Sequence, residues 1–330
     1  MYIADEKRYE KMLYRRLGTS GLNLPVLSFG LWYNFGEEND YETCKSMILK
    51  CFDNGITHFD LANNYGPPAG HAEKVFGRIL KEALMPYRDE IIISTKAGYY
   101  MWPGPYGDFG SRKYLMASIN QSLERLGLDY VDIFYHHRYD PNTDLKETMT
   151  ALRDIVLQGK ALYVGLSNYK SEQLIAAHKL LDEMHVPYVI TQPSYSMLNR
   201  WIETDNLLDT QYDLGGGTIA YSVLAQGKLT NKYINEIPED SRAKNKAAIW
   251  FTEKDITDEL RAKLVKLDQI SKRRGQNIAQ MALAWALRNP KLTSVLISTS
   301  KLSQLDDNLK TLENLEFSEA ELIEIDAILK

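Results

Sequence analysis

Eight short apolar runs, separated by amphipathic segments of helical length, constrain this chain more than any other feature. The runs lie at 26–31, 57–61, 91–95, 130–135, 162–166, 188–191, 218–221 and 294–297. Each is near-continuously apolar, as a strand buried on both faces must be. Helix-length amphipathic segments fall between most of them, at 41–53, 71–83, 112–125, 145–157, 170–184 and 203–213, with a longer helical region over 255–288. A further segment, 301–309, follows the last run. Strand and helix alternating eight times predict an α/β fold, a parallel eight-stranded sheet closed into a (β/α)8 TIM barrel. An open doubly wound sheet is the alternative, but eight units in 330 residues favour closure. Ser318 and Glu321 form a capping box that opens an extra C-terminal helix over 318–329. No repeat, low-complexity tract or linker divides the chain, so 1–330 reads as one domain. The polar stretch 223–254 after the seventh strand is long for a connection, and such loops are usually functional.

The strand ends carry chemistry. Asp60 ends the second run, and Tyr65 follows in a loop bounded by Asn63, Asn64, Gly66, Pro67 and Pro68. Lys96 ends the third run, and His136 and His137 end the fourth. In parallel α/β folds the C-terminal strand ends are where reactions occur. A tyrosine alone is a weak acid, with a reference pKa near ~10. An ammonium such as Lys96 would lower it by favouring phenolate, and Asp60 could hold that ammonium in place. Such a tyrosine can give a proton to a carbonyl oxygen, and a histidine can fix that oxygen's position. Nothing in the set is a nucleophile or a metal cage, so a nicotinamide cofactor is implied and no metal is. Taken singly, each residue has a plainer reading as a turn, packing or solvated side chain. The ordered set is what points to a reaction.

Bulk properties exclude other classes. The net charge of −5 and the lack of a basic run argue against nucleic-acid binding. Cys44 and Cys51 lie on one expected helix, about 10 Å apart along its axis, too far to bridge. They read as thiols of a reducing compartment. The charged N-terminal segment is no signal peptide, and no apolar run reaches the ~18 residues of a membrane span. A cytoplasmic protein is expected, acting on a small molecule and not on a membrane.

Over essentially its whole length the chain resembles the aldo-keto reductases. The matching segments are GLWYNFG (30–36), GITHFDLANNYG (55–66), AEKVFGRIL (72–80), ISTKAG (93–98), LGLDYVDIFYHHRYD (126–140), GKALYVGLSNY (159–169), TQPSYSMLNR (191–200), AYSVLAQGKLTNKY (220–233) and SKLSQLDDNL (300–309). DLANNYGPP with MWPGPYG (101–107) and SRKYL (111–115) is similar to a bacterial branch that reduces L-glyceraldehyde 3-phosphate. That branch is also similar to potassium-channel β-subunits. The resemblance implies a catalytic tetrad of Asp60, Tyr65, Lys96 and His137, with Tyr65 as general acid. The spacing to Arg138 and Asp140 selects His137 over His136. Ser167, Asn168 and Gln192 match residues that bind the nicotinamide carboxamide, and Tyr221, with Ser222 behind it, matches the aromatic that stacks on the ring. Trp32, Leu224, Gln226, Lys232 and Arg242 match further cofactor contacts.

Ser300, Gln304 and Asn308 share one helix face by spacing, with Lys301 beside them. A helix N-terminus there suits the 2′-phosphate of NADPH, with Asp307 and Asn308 reaching the adenine. Ser298 stands where the family usually has glycine, and Lys301 where arginine is common. A lysine offers a point charge and not a fork. No G-x-G-x-x-G follows a strand, which argues against a Rossmann cofactor mode.

The resemblance implies an NADPH-dependent reduction of small aldehydes, with L-glyceraldehyde 3-phosphate and methylglyoxal as candidates, in a homo-oligomer. The aromatic segment 98–113 is expected to be a lid over the substrate. Arg112 and Lys113 on it are candidate phosphate contacts or plain surface charges. The alternative is a non-catalytic, NADPH-sensing subunit like the channel β-subunits, where the position of His137 is asparagine. A Schiff-base role for Lys96 is a third reading, opposed by Asp60 and Tyr65 in tetrad order.

Overall fold

The computed structural model describes residues 2–239, 241–244 and 251–330. A hairpin comes first, β1 (Tyr14–Arg16) against β2 (Asn23–Pro25). Eight parallel strands follow: β3 (Leu27–Gly30), β4 (His58–Asp60), β5 (Ile92–Ala97), β6 (Val131–His136), β7 (Ala161–Ser167), β8 (Tyr188–Gln192), β9 (Gly217–Ala220) and β10 (Leu292–Ile297). They close in the order β10-β3-β4-β5-β6-β7-β8-β9, the expected (β/α)8 barrel.

The helices lie outside. They are α1 (Tyr41–Asp53), α2 (His71–Ile79), α3 (Arg112–Leu126), α4 (Leu145–Leu157), α5 (Ser171–Glu183), α6 (Trp201–Thr204), α7 (Leu207–Asp213), α8 (Asp258–Arg273), α9 (Ile278–Leu287), α10 (Leu302–Leu309) and α11 (Glu319–Leu329). Polar caps set several starts. Asp40 accepts from Thr43 N before α1, Ser111 from Tyr114 N before α3, and Ser318 and Glu321 form the expected box before α11. Cys44 and Cys51 are both free and buried on α1.

Three expected segments are revised. The segment 203–213 is two short helices, because Asn206 takes a left-handed conformation between them (φ 58°). The region 255–288 breaks at Gly275 (φ 69°) into α8 and α9, which restarts at a capping box on Asn277 and Gln280. The segment 71–83 ends as α-helix at Ile79 and continues as a π-turn over Leu80–Leu84.

The hairpin was not foreseen. Its Leu17 and Leu24 join Ile133, Val189, Ile190 and Ile219 in an apolar cluster, and Thr19 N donates to Gly215 O. This closes the end of the barrel where the strands begin and leaves the C-terminal rim open for chemistry. Each strand is too short to announce itself by alternation.

Candidate active site

Strand geometry brings Asp60 and Lys96 together. In a strand, side chains two residues apart share a face, so His58 with Asp60 and Ser94 with Lys96 point into the barrel. β4 and β5 pair with Asp60 opposite Ser94. Lys96 Nζ forms a short ion pair with Asp60 Oδ2 and donates to Leu61 O at 2.7 Å. It also reaches Tyr65 Oη at 3.4 Å. Lys96 and Asp60 are 0% and 1% exposed, so neither charge is shared with water. Asp60 Oδ1 accepts from Ser94 Oγ at 2.7 Å and from Gln192 Nε2 at 3.1 Å. The Tyr65 loop is held to the barrel by Asn63, whose N–H donates to Lys96 O at 2.9 Å and whose Nδ2 donates to Tyr114 Oη at 3.0 Å.

The electrostatics correct one expectation. Burial, then the charge of Asp60, pushes the Tyr65 phenol well above its ordinary range. Sequence alone counted the ammonium and not the desolvation. The ammonium is shared between Asp60 and Leu61 O, and its contact to the phenol is long. Burial also lowers the Lys96 pKa, against the pull of Asp60.

The paired histidines separate. His136 packs toward α4, with Nδ1 bonded to Tyr169 Oη at 2.6 Å and its ring against Gly110. His137 lies edge-on to Tyr65, ring centres 5.9 Å apart, and edge-on to Tyr99 at 4.6 Å. Burial, then Lys96, holds the His137 pKa well below its ordinary value, so the ring is neutral. Its Nδ1 is buried without a hydrogen-bond partner among the described residues.

Four more of the expected residues join this network. Asn168 Nδ2 donates to His137 O at 3.0 Å, and Asn168 Oδ1 accepts from Tyr221 Oη at 2.8 Å. Ser167 Oγ donates to Gln192 O at 2.8 Å. Amides and hydroxyls from β7, β8 and the end of β9 thus meet the tetrad residues at one rim, a donor set that fits a carboxamide.

The other candidates stand farther round. Ser222, Ala225 and Gln226 all have positive φ (56°, 47° and 61°), a cluster of costly conformations typical of functional loops. The Leu224 carbonyl accepts from Gly227 N and Leu229 N and so holds that turn. Trp32 packs on Tyr33 at 4.4 Å, and the Arg242 guanidinium lies over Tyr33 at 4.8 Å, which ties the long loop to the segment after β3. Lys232 is exposed. Of the long loop, residues 240 and 245–250 fall outside the described residues.

At β10, Ser298, Ser300 and Lys301 are exposed. Lys301 is the cap position, so Ser300 stands one residue outside α10, and its N–H donates to Gln304 Oε1 at 3.0 Å. Asp307 is exposed and faces Lys310 at 3.6 Å. Asn308 turns inward and is 5% exposed.

Comparison with known proteins decides the family. Residues 26–330 match the model of the aldo/keto reductase family. The chain belongs to the aldo/keto reductase family. It is 53% identical over 328 residues to the L-glyceraldehyde 3-phosphate reductases of Escherichia coli O157:H7 and of strain K12, covering 99% of this chain and 95% of each relative. It is also 35% identical over 304 residues to a probable voltage-gated potassium channel subunit beta of Arabidopsis thaliana, covering 92% of both chains. This aldo/keto reductase is therefore an oxidoreductase, of a family that draws on NADH or NADPH. Among the described residues no helix is long and apolar enough to cross a membrane.

The segment 98–113 of this aldo/keto reductase is anchored by residues that sequence reasoning did not assign. Arg138 donates to Gly98 O at 2.7 Å, pairs with Asp108 at 2.6 Å and lies over Tyr99 and Phe109 at 4.4 and 4.1 Å. Asp140 accepts from the N–H groups of Gly110, Asn142 and Thr143. The run Asp140-Pro-Asn-Thr was a readable turn signal for that anchor. Trp102 packs on Tyr114 at 5.1 Å, while Tyr100 and Tyr106 are exposed. Arg112 pairs with Asp154 on α4 at 2.5 Å, and Lys113 lies over Tyr106 at 5.4 Å.

Proposed function

We propose that this chain reduces small aldehydes with NADPH, with L-glyceraldehyde 3-phosphate as substrate and methylglyoxal as a second. We further propose that 1–330 is one cytoplasmic barrel domain that works as a homo-oligomer. The observation that carries the reading is the buried line Asp60–Lys96–Tyr65 with neutral His137 edge-on to Tyr65. When bound, the nicotinamide supplies hydride to the aldehyde carbon.

The chain's own residues handle the oxygen. Tyr65 is protonated at neutral pH because burial holds its pKa high, which suits a donor to a forming alkoxide. Lys96 Nζ, aimed at Tyr65 Oη, stabilises the phenolate as the proton leaves. His137 is neutral, and its buried Nδ1 has no partner. An unmet acceptor is tolerated better than an unmet donor, so the proton belongs on Nε2, free to hold the carbonyl oxygen. Ser167, Asn168 and Gln192 would take the carboxamide, and Tyr221 the ring. Trp32, Ser222, Leu224, Gln226, Lys232 and Arg242 would contact the rest of the dinucleotide. Ser298, Ser300, Lys301, Gln304, Asp307 and Asn308 would take its adenosine phosphate end.

The 53% identity to reductases of L-glyceraldehyde 3-phosphate supports that substrate. Following NADPH absorbance with the L- and D-enantiomers and methylglyoxal, with NADH as control, tests it. Fast, enantioselective NADPH consumption is expected. A folded Tyr65→Phe variant that keeps its activity sinks the mechanism. Similarity to the channel subunit favours a second reading, an NADPH-sensing partner. Tight NADPH binding with slow turnover of every aldehyde would support it.

A further inference from the structure

Beneath the tetrad, polar side chains run unbroken through the barrel interior. Ser294 on β10, Ser28 on β3, His58 on β4 and Ser94 on β5 are all 0% exposed. Ser294 Oγ and Ser28 Oγ are 2.7 Å apart, Ser28 Oγ and His58 Nδ1 3.0 Å, and His58 Nε2 and Ser94 Oγ 3.0 Å. Ser94 Oγ then reaches Asp60 Oδ1 at 2.7 Å. We propose that His58 is a positioning residue for the reduction: its Nε2–H donates to Ser94, turns the Ser94 proton onto Asp60, and so limits how much of Asp60's charge reaches Tyr65.

The polarity follows from what each atom can do. The Asp60 carboxylate is paired with Lys96 and only accepts, so Ser94 must donate to it. Ser94 has one proton, so its oxygen accepts from His58, which fixes a hydrogen on Nε2. The charges acting on His58 are Asp60 on its own strand, which favours imidazolium, and Lys96 on β5, which opposes it. Among the described residues, β3 meets it with the Ser28 hydroxyl, and Ser294 on β10 stands behind that hydroxyl. Burial outweighs Asp60 and lowers the His58 pKa to about 4, so the ring is neutral and Nδ1 accepts from Ser28. The Ser294 proton is divided between Pro25 O, at 2.6 Å, and Ser28 Oγ. Either choice leaves the Ser28 proton for His58. From Ser28 onward every donor therefore points toward Asp60, and such chains strengthen along their length.

The effect on Tyr65 has one sign. Asp60's charge raises the Tyr65 pKa, and Ser94 and Gln192 share that charge. Without the Ser94 hydroxyl, more of it bears on Tyr65. Lys96 is also drawn toward Asp60 and away from a phenol already 3.4 Å off. Both changes make Tyr65 harder to ionise.

The inference rests on Tyr65 as proton donor, and two measurements separate the two ideas. The first is 15N NMR of the histidine-labelled resting protein, with the His58 signal, one of six, assigned by its loss in His58→Asn. A neutral Nε2–H tautomer is expected, and an imidazolium or Nδ1–H form overturns the chain's polarity. The second is the pH profile of alcohol oxidation followed up to pH 11 with NADP+, whose positive charge would favour the phenolate, so that the rising limb follows Tyr65 ionisation. Ser94→Ala should move that limb upward by on the order of half a pH unit, with KM for the aldehyde within about twofold of wild type. Ser294→Ala, at the far end, should move it less. A folded Ser94→Ala enzyme with the wild-type limb refutes the positioning role. A wild type with no limb refutes the proton-donor reading instead. Should Ser94→Ala not fold, the tautomer in the wild type still decides.

Discussion

Replacing Lys96 with methionine should separate the stability of the buried ion pair from its chemistry. Methionine keeps the length of the stem and removes the ammonium. Among the described residues, Asp60, 1% exposed, would then keep only Ser94 and Gln192 as side-chain donors. Leaving one partner of a buried pair unmatched costs roughly 3–5 kcal/mol. Asp60 has an escape, which is to take a proton. Neutralising an ordinary aspartate at pH 7 costs about 4 kcal/mol, so the two routes agree and the penalty is capped near that value. The escape gets easier in acid. Lys96→Met should therefore lie about 4 kcal/mol below wild type at pH 7 and much closer to it at pH 5, each measured by urea unfolding at that pH. Adding Asp60→Asn removes the orphan charge and should restore most of the loss at pH 7. Neither the single nor the double variant should reduce aldehydes, because Tyr65 has lost its cation. A single variant as stable as wild type, or a deficit equal at both pH values, would falsify the account of the pair as a buried, mutually compensated charge.

Two other outcomes follow from the structure. His58 and His136 are buried and neutral, each with its pKa lowered to about 4 by burial. The unfolded chain binds protons first, near the ordinary value of about 6.5, so their contribution is complete above that pH. It is lost as pH falls toward about 4, by about 3 kcal/mol for each ring at most. Unfolding free energies that stay flat from pH 7 to 4.5 would contradict this. Arg138→Met should loosen the segment 98–113, the expected lid, since the guanidinium ties Gly98, Asp108, Tyr99 and Phe109 together. KM for the aldehyde should rise roughly tenfold, the scale of a lost charge-assisted contact, with little change in cofactor affinity. A change confined to kcat would show that Arg138 does not order that segment.

The barrel was readable because its signal is repeated. Apolar runs and amphipathic segments recur eight times, and an error of a residue or two at β5 or β7 leaves the pattern intact. The breaks between α6 and α7 and between α8 and α9 were not read, because single residues such as Asn206 and Gly275 turn the chain without changing its hydrophobic period. The strand-end residues Asp60, Lys96 and His137 were legible for a related reason. A polar or charged residue closing an apolar run must either reach a rim or find a partner. Ser94 and His58 were not, since a serine or histidine inside a strand is unremarkable until its neighbours are known.

The sequence by itself determined the strand–helix alternation, and with it the rim on which Asp60, Tyr65, Lys96 and His137 appear. It also determined the family resemblance, which is carried in short local motifs. Only the tertiary structure decided the energetics among those residues. Lys96 shares its charge with Asp60 and Leu61 O, burial raises the Tyr65 phenol, and His136 faces α4 while His137 faces Tyr65. Periodicity fixes which way a side chain points. Desolvation and hydrogen-bond direction depend on atoms from β3, β4, β5, β8 and β10 at once, and no local stretch of sequence contains them.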